Sequence, residues 1–139
     1  MLRNRPPAET QAQWKKTRGM VEDEVAKAIT KLEKEYLGRG PMDVRARFMD
    51  DLILIRVQGE MAPAEQQLCK TESGQQLVKE MRRRLFESSQ SLLKTLVQEI
   101  VDCKLISIHS DISTKTGERM ILLVVDANLE EKFPTKKMG

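Results

Sequence analysis

The stretch CKLISIHSDISTKTGERMILLVVD, residues 103–126, decides how the rest of the chain is read. From Leu105 to Ser113 it alternates. Ile106, Ile108 and Ile112 fall on one face, and Ser107, His109, Asp111 and Ser113 on the other, because strand side chains repeat every two residues. That pattern predicts a half-buried strand. Thr114-Lys115-Thr116-Gly117-Glu118 supplies turn chemistry, with Gly117 free to take a positive φ. Met120 to Val125 is apolar on both faces, which predicts a strand covered from both sides and interior to its sheet.

Working outward, a second pair of strands precedes this one. Val44, Ala46 and Phe48 alternate with Arg45 and Arg47, Asp50-Asp51 suits a tight turn, and Leu52 to Val57 is apolar on both faces apart from Arg56. Helices surround the two hairpins. Val21, Val25, Ile29, Leu32 and Tyr36 recur at three- and four-residue spacing from Met20 onward, and Gly38 and Pro41 stop that helix. Pro63 opens a short helix to about Lys70. Ser73 and Gln76 form a capping box for the longest element, residues 74 to about 102, with the stripe Leu77, Val78, Met81, Leu85, Ser88, Leu92, Leu93, Leu96 and Ile100. Thr10 and Gln13 offer a further capping box near the start.

The reading is an α+β fold of two layers: a four-stranded, mainly antiparallel sheet made of two hairpins, with two long helices and one short one. The expected strand order is 1-2-4-3, with the helices on one face. Residues 1–18 read as a flexible arm, 19–130 as one domain, and the chain as a polar tail from about Ala127, disordered over 131–139. The long helix would run about 40 Å against about 20–30 Å for the strands. It must overhang the sheet, and a partner subunit is the simplest cover for its leucines. The second apolar face of the interior strands also argues for a dimer or a bound partner.

Composition narrows the class. The 139 residues are 40% apolar and 32% charged, but only 4% aromatic, so Leu, Ile, Val and Met must build the core. Twenty-four basic against twenty-one acidic residues give +3, too little to imply nucleic acid or an anionic membrane. Cys69 and Cys103 have no framework spacing, and no secretory segment precedes them, which predicts reduced thiols in a cytoplasmic protein. No apolar run approaches the ~20 residues that span a bilayer.

No catalytic motif emerges. His109 is the single histidine, so one chain cannot build a histidine metal cluster. Its neighbours Ser107, Ser110 and Asp111 cannot act in series as nucleophile, base and orienter from one strand. It reads as a surface or interface histidine, with a ligand contact as the alternative. The turn over 111–118 is richer in hydroxyls than a hairpin requires, and its backbone amides beside Gly117 could hold an anion, yet its glycine spacing is not that of a phosphate-binding loop. Arg39, between Gly38 and Gly40, either marks a helix stop or is presented to phosphate or carboxylate. Lys79 with Arg82-Arg83-Arg84 reads as a solvated helix face; nucleic acid would need aromatic platforms that this chain lacks. The candidate ligand- or partner-binding residues are therefore Arg39, Gly40, His109, Asp111, Thr114, Lys115, Thr116, Gly117 and Glu118. No metal site and no cofactor is implied.

Four segments together resemble the MpsC-like family of small bacterial proteins: residues 36–41 (YLGRGP), 51–56 (DLILIR), 63–65 (PAE) and above all 109–118 (HSDISTKTGE). The resemblance runs from about Val21 to Glu130. It implies an accessory or regulatory role near a sodium-translocating, membrane-potential-generating system, and it supplies no reaction or ligand to transfer. The chain departs from the family's pattern at Ala62, where a capping threonine is usual. The expectation is a non-enzymatic cytoplasmic homodimer acting through protein contacts, with a membrane-complex protein as partner. A sensor binding an anion or nucleotide at 109–118 is the alternative, and nucleic-acid binding comes after both.

Overall fold

The computed structural model describes residues 16–38 and 40–135. The Thr10–Gln13 pair, Arg39 and the last four residues lie outside them. Helix α1 spans Arg18–Leu37. Thr17 caps it, its hydroxyl accepting from the Met20 amide, and it closes on Gly38, whose φ of 76° lets its amide donate to the Lys34 carbonyl. The helix starts two residues before the expected Met20. Gly19 sits in the first turn, where the cap offsets its poor propensity.

Strands β1 (Asp43–Met49) and β2 (Leu52–Gln58) follow, joined at Asp50-Asp51. Short helix α2 covers Pro63–Leu68 and long helix α3 Glu72–Val101. Strands β3 (Leu105–Ile112) and β4 (Arg119–Val125) complete an antiparallel sheet of order β1-β2-β4-β3. This is the expected order, and it leaves β1 and β3 at the edges. A fourth helix, α4 (Leu129–Lys132), lies where a polar tail was expected. Its residues are held by packing. Leu129 is buried, Phe133 sets its ring 6.0 Å from that of Phe48, and the Arg18 side chain donates to the carbonyls of Glu130 and Phe133.

One layer of core joins helices to sheet. Val21, Val25, Ile29 and Leu32 of α1 meet Ala46, Phe48, Ile53, Ile55, Ile121 and Leu123 of the sheet, all buried. The predicted α1 stripe is the observed one as far as Leu32, while Tyr36, its last member, is exposed. That of α3 is rotated: its buried column is Gly74, Val78, Phe86, Ser89, Leu93, Val97 and Val101. Leu77, Met81 and Leu92 stand in solvent. Its N-cap is Thr71, whose hydroxyl accepts from the Gly74 amide, and the expected Ser73 lies inside the first turn. Gly74 is required there because the Leu68 carbonyl of α2 lies 1.7 Å from where a Cβ would stand. The short helix thus covers the start of the long one.

The register of β3 also differs from simple alternation. An irregularity between Leu105 and Ser107 places Leu105 against Val125 and Ser107 against Val124. The extra residue, Ile106, is turned out to solvent, while Leu105, Ile108 and Ile112 take the inward positions. Among the described residues no helix lies over the opposite face of the sheet. Leu52 and Leu54 of β2 pair there with Val124 and Leu122 of β4, flanked by Arg47 and His109 at the two edges. Among the described residues the helices lie on one face, as expected, and the second apolar face of the interior strands is the one for which a partner was expected.

Candidate functional site

The hairpin residues singled out from the sequence are distributed over several surfaces. The Ser113 hydroxyl accepts from the amides of Lys115 and Thr116, the Thr116 hydroxyl accepts from the Glu118 amide, and the Gly117 amide donates to the Ser113 carbonyl. The amides that could have received an anion are thus used by the turn itself. Gly117 has φ 80°, and a Cβ there would stand 2.8 Å from the Gly59 carbonyl, so the turn is clasped against the β2–α2 connection. Glu118 reaches across to Arg56 at 2.5 Å. Asp111 accepts from its neighbour's amide at Ile112 and lies 3.7 Å from Lys79. His109 faces solvent on the uncovered side of the sheet, its Nε2 3.1 Å from the Ser107 hydroxyl.

Two clefts open on the helix side. The larger, about 1020 Å³, lies between β3 and the first half of α3, with His109, Asp111 and Thr114 on its rim. The smaller, about 390 Å³, is lined by Gly40, Pro41, Val57, Ala62 and Gly117. So Gly40 and Gly117 meet, His109, Asp111 and Thr114 meet, and Lys115, Thr116 and Glu118 border neither of these clefts. Arg39 lies outside the described residues.

Between the two clefts sits a feature that periodicity did not reveal. Arg82 and Arg119 line both. Arg82 holds Glu65 in a two-point contact, Nε to Oε2 at 2.7 Å and Nη2 to Oε1 at 2.8 Å. The same Oε1 accepts from the Ala62 amide, which is the half of a capping box that an alanine at the N-cap still allows. That contact raises the pKa of Arg82. Arg119, whose side chain is 4% exposed, pairs with Glu33 of α1 and lays its guanidinium 5.4 Å from the centre of the Phe86 ring. Its Nε is buried without a hydrogen-bond partner.

These pairs tie α1, α2, α3 and β4 to one point. Each arginine has a counter-charge, as burial demands. The Arg82–84 run is therefore split. Arg82 turns inward, whereas Arg83 and Arg84 stay out and pair with Glu80 and Glu87. A signal for Arg119 was available: it shares the inward parity of Ile121, Leu123 and Val125, so a charge there had to find a buried partner. Glu33 gives no such sign, since it follows Leu32 on what reads as the polar side of α1. Among the described residues no group of three or more His, Cys, Asp or Glu is placed to hold a metal ion.

The family profile described as "Na+-translocating membrane potential-generating system (MpsC)" matches residues 17–127. The chain belongs to the MpsC family. It is 37% identical over 119 residues to the Bacillus subtilis (strain 168) protein YbcI, covering 86% of this chain and 96% of that one. It is 26% identical over 105 residues to YrhF of the same organism, covering 75% and 86%. Both relatives are described as uncharacterized. No solved structure matches the chain. In this MpsC-family chain three of the four segments that carry the resemblance border the smaller cleft, through Gly40 and Pro41, Glu65, and Gly117. Among the described residues no helix is long and apolar enough to cross a membrane.

Proposed function

We propose that this protein is a non-enzymatic, cytoplasmic accessory module, homodimeric, that regulates a Na+-translocating system by docking on one of its proteins. The observation that carries this reading is the presence of two separate apolar surfaces that the described residues leave uncovered. One is the outer face of the sheet. The other is the outer column of α3, where Leu77 is 59% and Met81 42% exposed, with Leu92 further along. Exposed apolar area of this kind marks contact surfaces in soluble proteins. Two of them on opposite layers suit one contact with a like subunit and one with a different protein. The family description supplies the system.

The test is physiological. Cells lacking the protein are followed with a potential-sensitive dye while external Na+ is varied. The wild-type chain should restore the Na+-dependent response, and a Leu77→Asp/Met81→Asp variant with an unchanged circular dichroism spectrum should not. Equal restoration by both would remove α3 from the reading. A potential indifferent to the protein's absence would remove the system.

A second reading rests on Arg119. Its unpartnered Nε beside the larger cleft suits a small anion, such as a carboxylate or phosphate ligand, that brings an acceptor. A panel of anions and nucleotides that leaves the melting temperature unmoved would exclude it.

A further inference from the structure

We propose that the outer face of the sheet is the surface that receives the second copy, packed sheet to sheet about a two-fold axis parallel to the strands. This rests on the homodimer reading above and adds which face, which symmetry and which residues.

The pairing register lays out that face as rows running across the four strands. One row reads Arg47, Leu54, Leu122, His109; the row on its hairpin-turn side at Gly117 reads Arg45, Arg56, Met120, Asp111; the row on the other side reads Met49, Leu52, Val124, Ser107. The two middle columns are apolar except for Arg56, which Glu118 already neutralises. Charge is kept to the margins: Asp43, Arg45 and Arg47 on β1, where Asp43 pairs with Arg45 at 2.9 Å, and Asp111 on β3, 3.7 Å from Lys79. Met49, Ile106 and Met120 extend the apolar area and are exposed. With strands ~4.8 Å apart and ~3.3 Å per residue, the face measures about 19 by 23 Å. That is about 440 Å² in projection, somewhat under the ~600 Å² per partner at the small end of the standard range.

Symmetry decides the rest. Two copies of a face packed with their strands aligned meet about an axis along the strands or one across them. An axis across the strands lays each strand over its own copy and sets Arg47 against Arg47 of the second chain. Like charges opposed in a contact disfavour it. An axis along the strands lays β1 over the second copy's β3 and keeps each row at its own height. Arg45 then faces Asp111, Leu54 faces Leu122, and Leu52 faces Val124, each contact occurring twice, as an isologous interface requires. Aligned sheets stacked ~10 Å apart allow these side chains to interdigitate. The same face that is unfinished in one chain is complementary to itself.

The experiment uses the full chain, with subunit number read by native mass spectrometry and by light scattering on a sizing column across a dilution series. The wild type should run at twice 15.9 kDa. Leu54→Asp/Leu122→Asp should run as a folded monomer. Arg45→Asp and Asp111→Arg should each weaken the dissociation constant by about tenfold or more, and the two reversals combined should restore most of the loss. A wild-type dimer untouched by Leu54→Asp/Leu122→Asp would overturn this face while leaving the homodimer intact. A dimer lost on that substitution, in which the combined reversal of Arg45 and Asp111 restored none of the loss from the single reversals, would overturn the axis and so the proposal as stated. A monomeric wild type would remove the homodimer and this interface together. If that monomer also lost its Na+-dependent activity on Leu54→Asp/Leu122→Asp, the face would belong to a different protein.

Discussion

Helices α1 and α3 were read by the same rule, and the rule worked for one of them. In α1, Val21, Val25, Ile29 and Leu32 form the single apolar column, and all four are buried. In α3 there are two columns. The inner one, Gly74, Val78, Phe86, Ser89, Leu93, Val97 and Val101, is interrupted by glycine, serine and, between Val78 and Phe86, Arg82. The outer one, Leu77, Met81, Leu85 and Leu92, is the cleaner stripe. Periodicity picks the cleaner stripe, but burial is decided by what lies opposite. A helix with one apolar face needs only its own sheet. A helix with two has a face to spare.

The comparison is sharpest where α3 buries a charge at a position that α1 would fill with an aliphatic side chain. Arg82→Ala removes the two-point contact to Glu65 and leaves that carboxylate half-satisfied in a buried place. We expect a loss of about 3–5 kcal/mol, as for breaking other buried pairs, measured by urea unfolding. A loss below about 1 kcal/mol would mean that the pair is solvated and that the inner column does not depend on it.

Adjacent residues on α3 provide the next test. Leu93 is buried and Leu92, one position before it, is exposed. Leu93→Ala should cost about 2–5 kcal/mol, while Leu92→Ala should change the stability of the isolated subunit by no more than about 0.5 kcal/mol. Equal effects would mean that α3 is rotated from the orientation described, or that the outer column is covered in solution. Measuring Leu92→Ala across a range of protein concentrations separates these two, because only a covered column gives a concentration-dependent loss.

Gly74→Ala comes next in size. A methyl group there would collide with the Leu68 carbonyl, and no flexible side chain can give way. We expect α2 to be pushed off the start of α3, with a cost of about 1–3 kcal/mol and faster amide exchange at Gln66 and Cys69. Unchanged exchange at those two amides would show that α2 is not seated on Gly74.

How far the sequence could be read follows the same line. The two hairpins and the helix ends at Gly38 and Pro63 are local, depending on residues close in the chain and on a period of two or 3.6. The order β1-β2-β4-β3, though β2 meets β4 far along the chain, follows from which two strands are apolar on both faces. What escaped is non-local. Arg119 finds Glu33 across 86 positions, Arg82 finds Glu65 across 17, and Leu129 and Phe133 complete a core begun at Val21. Ile106 is misplaced by a single irregularity that no alternation can show. Of the candidate residues, Gly117 has a conformational role legible from its turn. The convergence of Arg82 and Arg119 depends on helix packing and was out of reach until the layers were assembled.

The smallest expected effect sits on the outer side of the same arginine run. Glu80 accepts hydrogen bonds from Arg83 and Arg84, and these hold its pKa well below the usual carboxylate value, at about 2 against 4.5. A depressed folded-state value favours the folded state above the unfolded pKa. The contribution is therefore complete above about pH 4.5 and fades as the pH falls towards 2. Because Glu80 is exposed, salt should weaken the effect and global stability should hardly register it. The sensitive measurement is the titration of the Glu80 side-chain carboxyl carbon by NMR. Its midpoint should lie near 2, and Arg84→Ala should move it upward by removing one of the two donors. A wild-type midpoint near 4.5 would show that Arg83 and Arg84 point elsewhere in solution. The inward-turned Arg82 would then be the one member of the run held in a fixed pairing.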